Sequence, residues 1–245
     1  MNSSFTASLA IAGSAIAASA ASAAFNGYAG FVRNIGNYTV VDVFAVTTSA
    51  DHKLFNIYDA SISTDAAGGF YQAPGNATKT WKPDAVTFTS TRESVDSFMT
   101  IGASRYAGDP TVYAGITTAA DPNFNGTSWN GTPASAPATM VPALAGWYTA
   151  DPPSDSLFAE DLGSVAGVRQ GAAGGFGIWC AHLVLAGTAD ATISWAGFAT
   201  TKNMITGVTE QVRQSQTFAV PAPGAIVLLG LAGLRQGRRR RAGNR

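Results

Sequence analysis

Cysteine occurs once in the 245 residues, as Cys180, and histidine twice, as His52 and His182. One thiol excludes an internal disulfide framework, so burial alone must hold the fold. Two histidines leave little room for a His-based metal site or a Ser-His-Asp triad. HExxH, GxSxG, a P-loop and a GxGxxG after a strand are all missing. Charge is sparse at 12% of residues, and it is unevenly spread. All 15 acidic residues lie between Phe25 and Phe218, against nine Lys and Arg there, so that stretch carries −6. The other six arginines sit at the C-terminal end and bring the total to zero. An acidic domain argues against a nucleic-acid partner, because a phosphate backbone must be met by a basic surface. Between Phe25 and Phe218 no long helical period with caps is found either.

Strand signals fill that interval instead. Tyr38–Thr48 is rich in β-branched and aromatic residues, and Lys53–Thr64 follows a turn-like Ser49–His52, which suggests a hairpin. Ala85–Thr89, Val95–Ile101, Thr111–Thr117 and Gly146–Thr149 read as shorter strands. Gly175–Ala186 and Ala191–Thr201 read as a long pair joined by Gly187–Asp190, and Gln214–Phe218 as a last edge strand. Short strands between Gly, Pro, Asn and Asp turns predict an all-β fold, an antiparallel β-sandwich of jelly-roll or Ig-like type. With no repeat and no linker, residues 25–218 read as one domain. The Gly-, Pro- and Asn-rich interval Gly102–Leu144 reads as a long surface excursion.

The two ends read as addresses. Residues 1–24 hold an Ala-rich apolar run, Phe5–Ala18, and small-residue sites such as Ala21-Ser22-Ala23, which predicts a cleaved signal peptide with a helical apolar segment. Its weak point is an n-region without Lys or Arg. Residues 219–245 form the other end. From Phe218 to Leu234 no residue is charged. Those seventeen residues as a transmembrane helix would span roughly 25 Å, against a hydrocarbon core of about 30 Å. Pro221 and Pro223 suit the start of a helix, and Arg235 can snorkel at its end. Arg238, Arg239, Arg240 and Arg241 stop translocation and hold the C-terminus in the cytoplasm.

Val220-Pro221-Ala222-Pro223, a short apolar span and an Arg-rich end together resemble the PEP-CTERM sorting signal. The resemblance covers Val220 to Arg245, and departs from the commonest form at Ala222, where Glu is usual. It implies a bacterial exosortase-type sorting enzyme as partner, cleavage near Pro221-Ala222-Pro223 and a transient stay in the inner membrane. It also implies transfer to the cell surface or a polysaccharide-rich extracellular matrix.

Candidate chemistry in the domain is thin. Cys180 and His182 are two apart in a strand and so are expected on one face with Ile178 and Val184, as a buried thiol and a satisfied histidine. His52 beside Asp51 sits in a turn. Asp121, Asn123 and Asn125 copy the first half of a calcium loop, but position twelve is Thr132 where a bidentate Glu is needed. Asp151, Asp155, Glu160 and Asp161 offer paired carboxylates for glycoside hydrolysis. Trp129 and Tyr148 are candidates for stacking on a sugar ring, and Trp179 and Trp195 read as core. No cofactor is called for. The expected function is that of an exported surface or matrix protein, structural or adhesive and without catalysis. A carbohydrate-binding module is the alternative, with exopolysaccharide as a partner, and a hydrolase the second.

Overall fold

Phe25–Ile35 (β1) and Tyr38–Thr47 (β2) form an antiparallel hairpin around Gly36, whose φ of 57° favours glycine. The strands that follow are His52–Thr64 (β3), Phe98–Met99 (β4), Thr118–Ala120 (β5) and Ala145–Thr149 (β6). Glu160–Asp161 (β7), Val168–Gly171 (β8), Phe176–Ala186 (β9), Ala191–Asn203 (β10) and Thr209–Val220 (β11) complete the series. This computed structural model describes residues 24–73, 81–83, 92–102, 118–124, 129, 140–153, 155–186 and 190–221.

The strands build two antiparallel sheets, β4-β9-β2-β1-β8 with β7 also beside β9, and β11-β10-β3-β6-β5. The expected β-sandwich-like, all-β class holds. The expected pairings do not. β2 and β3 lie in different sheets, and so do β9 and β10. The segment 49–51 is therefore a crossing between layers and not a hairpin loop, and the chain likewise changes sheet between β9 and β10. At the first crossing His52 Nδ1 lies 3.1 Å from Ser49 Oγ, and Met204 N–H donates to Asp51 O at 2.9 Å, which pins the corner. Of Val95–Ile101 only Phe98–Met99 is strand, while β11 is longer than expected. Ala85–Thr89 and Thr111–Thr117 lie outside the described residues, as do residues 1–23 and 222–245. Among the described residues no helix is long and apolar enough to cross a membrane.

The main core lies between the sheets. A chain of ring contacts crosses it: Phe25 to Tyr28 at 5.0 Å, Tyr28 to Trp195 at 5.2 Å, Trp195 to Trp147 at 5.9 Å and Trp147 to Phe124 at 6.2 Å. Such edge and tilted contacts add to the burial of large apolar area. The Trp147 indole N–H lies 3.1 Å from both Thr100 O and Cys180 O, linking the second sheet to the first. Close approach at the β1–β11 face depends on Gly30, where a Cβ would sit 2.7 Å from Phe218 Cδ1. A smaller apolar cluster (Phe31, Phe44, Phe98, Leu162, Trp179) lies on the outward side of the first sheet. That cover explains why β2 is buried on both faces rather than alternating.

The end of β11 revises the tail boundary. Val220 is buried and paired with Ala191, and Phe218 is buried under Gly30. Residues 218–220 therefore belong to the sheet. The apolar run left for a membrane span begins at Pro221, three residues later than expected.

Candidate functional site

The chemistry-bearing side chains of the first sheet converge on its outward side. β2 carries Asp42, β9 carries His182 and β1 carries Arg33. His182 Nδ1 lies 2.6 Å from Asp42 Oδ1, and its Nε2 lies 3.0 Å from Ser94 O. The carbonyl and the carboxylate both only accept, so each ring nitrogen is the donor in its own bond, Nε2 to Ser94 O and Nδ1 to Asp42 Oδ1. Arg33 Nη2 donates to Asp42 Oδ2 at 3.1 Å and also to Arg92 O. Arg92 pairs with Glu160 and lies over the rings of Phe44 and Trp179, at 4.9 and 5.3 Å. Burial alone would raise the Asp42 carboxyl. The charge and hydrogen bond of His182, then Arg33 and Arg92, outweigh it and hold the carboxyl below its ordinary value. Phe98 stacks on the His182 ring at 5.0 Å. Every bond here ends on the segment 92–98 or on the sheet beneath it. The arrangement is a clamp, with both ring nitrogens already engaged.

Cys180 takes no part in it. The ladder between β2 and β9 slips between Val43 and Phe44, and Cys180 is the extra residue of this bulge. Cys180 and Ala181 both enter the main core, while His182 faces outward against Trp179 and Phe98. The expected shared face of Cys180 and His182 is thus overturned by one inserted residue. The Cys180 thiol lies 3.2 Å from Val43 O, and burial pushes its pKa well up.

The outward face of the second sheet is different in kind. Arg213 (β11), Phe198 (β10) and Tyr58 (β3) are successive cross-strand neighbours. Tyr58 and Phe198 stack at 4.9 Å with planes 10° apart, and the Arg213 guanidinium lies 5.9 Å from the Phe198 ring centre. Arg213 Nε pairs with Asp59 Oδ2 at 3.5 Å. Beyond Tyr58 the next strand offers only Gly146, where a Cβ would meet Asp121 Oδ2 at 2.5 Å. Tyr148, 42% exposed, is paired with Asn56 and is a diagonal neighbour of Tyr58 on this face. Asp59 (φ 50°) and Leu144 (φ 60°) are the non-glycine residues with left-handed backbone among the described residues, and both border this patch. Such strain costs about 1–3 kcal/mol per residue and concentrates at functional sites. Toward β11's end the face continues into a depression of about 440 Å³ lined by Ser61, Ser194, Ser215 and Thr217.

The sequence-derived candidates divide accordingly. Tyr148 and Asp121 come together on this face. Trp129 does not: it is buried at 5% exposure, its ring 5.0 Å from Phe124, so it cannot serve as a stacking platform. An aromatic residue in a polar stretch was buried because it completes the ring cluster of the core. Asp121 Oδ1 accepts from Phe124 N–H at 3.1 Å, and Asn123 Nδ2 donates to Leu144 O at 3.2 Å, so both fix a 3-10 turn. Asn125 is outside the described residues. No cluster of three His, Cys, Asp or Glu suited to a metal occurs among the described residues. Glu160 is paired with Arg92, and Asp161 Oδ1 accepts from Gly163 N–H as a cap. His52 is buried in its turn. Of the tail motif, Val220 lies in β11 and Pro221 is the first residue beyond it. Ala222, Pro223, Arg235 and Arg238–Arg241 fall outside the described residues. Tyr58, Phe198 and Arg213 escaped sequence reading because three distant strands bring them together. No family model, no curated protein and no solved structure matches the chain.

Proposed function

We propose that this is an exported bacterial surface or matrix protein, sorted through its C-terminal tail and structural or adhesive there, without catalysis. An exosortase-type enzyme recognises the Pro221-Ala222-Pro223 handle that follows Val220, while Arg235 and Arg238–Arg241 hold the end in the cytoplasm and the inner membrane serves as a transient anchor. The observation that carries this reading is the junction at Val220. β11 stays hydrogen-bonded to β10 up to Val220↔Ala191, and the Pro-x-Pro handle begins at the next residue. Cleavage beyond that point leaves the sandwich whole. The saturation of Asp42, His182 and Glu160 by structural bonds also favours a role without catalysis.

A topology reporter fused after Arg245 tests the reading. Activity of a cytoplasm-dependent reporter is expected in the native chain. With Arg238–Arg241 changed to Ser, the reporter should shift to the exterior. An exterior reporter in the native chain would remove the stop from the account. A second reading, carbohydrate binding, is favoured by one observation: exposed Tyr148, a diagonal neighbour of Tyr58 on the outward face of the second sheet.

A further inference from the structure

Resting on that second reading, and independent of sorting, we propose that the outward face around Gly146 binds an extended neutral polysaccharide. Four observations meet there. Tyr148 and the Tyr58 ring face turned away from Phe198 are amphipathic, apolar in body and polar at the tip, which suits the C–H faces and hydroxyls of a pyranose, and Gln211 Oε1 lies 3.5 Å from the Tyr58 hydroxyl. Gly146 places no side chain between the two rings, and the Asp121 carboxylate leans over it as a hydroxyl acceptor. Asn56 Oδ1 and Thr200 Oγ1, cross-strand partners beside Tyr148, have no hydrogen-bond partner, which is costly for buried polar atoms. The left-handed Asp59 and Leu144 flank the same patch.

Charge and shape select the ligand. Asp59 and Asp121 against Arg213 leave the patch at −1, which disfavours an anionic polymer. A five-stranded face spans roughly 20 Å at about 4.8 Å per strand, and the serine- and threonine-lined depression on β3, β10 and β11 widens it along the strand direction. That length accommodates several sugar units, so a chain is bound in preference to a monosaccharide.

The test uses the purified full chain in mild detergent, run through native gels containing hydroxyethylcellulose, dextran or alginate, with cellulose pull-down beside them. Retardation by a neutral glucan is expected, with little by alginate. Tyr148→Ala and Tyr58→Ala should each weaken it roughly tenfold. Tyr148→Ala should leave the melting temperature nearly unchanged, since the ring is half exposed. Trp129→Phe, altering a buried ring, should leave the binding unchanged. No retardation by either neutral polymer, binding that survives both tyrosine substitutions, or salt-sensitive binding to alginate alone would each overturn the proposal. Because the assay needs no export, such a failure removes this site and leaves the sorting reading untouched.

Discussion

Replacing Asp42 by Asn probes the clamp on the first sheet with little change in volume. The carboxylate is wholly buried between His182 and Arg33. An amide keeps one acceptor for His182 but turns N–H donors toward the guanidinium. Removing one member of a buried charge pair costs about 3–5 kcal/mol, because the partners remain buried without compensation. In a chain of this size each kcal/mol moves the melting temperature by about 2–4 °C, so a fall of roughly 6–20 °C is expected at pH 7. The pH dependence has a definite sign. The Asp42 carboxyl is held below its ordinary value in the folded state, so its stabilisation is fully present above about pH 4. It is lost as the pH falls through the folded value, where the native carboxylate takes up its proton. The gap between native chain and Asp42→Asn should therefore narrow in acid. Hydrogen exchange offers a local readout: amides at 92–99, held by Arg33 and His182, should exchange faster in the variant. Thermal melts at pH 7 that agree within about 1 °C would refute the reasoning, as would a gap that widens in acid.

Gly30→Ala places a Cβ against the Phe218 ring and should destabilise by about 1–3 kcal/mol; denaturant melts check it, and Gly36→Ala, with no atom within 4 Å, separates crowding from backbone strain. Trp147→Phe keeps the ring but removes the N–H that lies against Thr100 O and Cys180 O, a loss of about 1–3 kcal/mol in the same assay. Cys180 should resist alkylation at pH 8 until denaturant opens the core, because its thiol is buried with a raised pKa; rapid labelling of the native chain would contradict the bulge placement.

The sequence was most informative where one period dominates. Tyr38–Thr47, His52–Thr64, Phe176–Ala186 and Ala191–Asn203 all lie close to their expected limits, since β-branched and aromatic runs leave few alternatives. β1 was not legible because Gly27 and Gly30 interrupt its pattern, and those glycines are needed for a bulge and for Phe218. Nor was the layer of each strand: a turn of three or four residues can close a hairpin or cross between sheets, and only packing decides. The bulge at Cys180 moved His182 to the opposite face through one residue, a change of phase no alternation reveals. The platform on the second sheet was half legible, through Tyr148 and Asp121. Its other half depends on register between β3, β10 and β11.

Intact-mass spectrometry of the protein recovered from the outside of the cell tests the central claim most directly. The expected product begins near Phe25, ends between Pro221 and Pro223, and keeps all of β11. A full-length chain of 25.1 kDa found soluble inside the cell, with both ends intact, would contradict it.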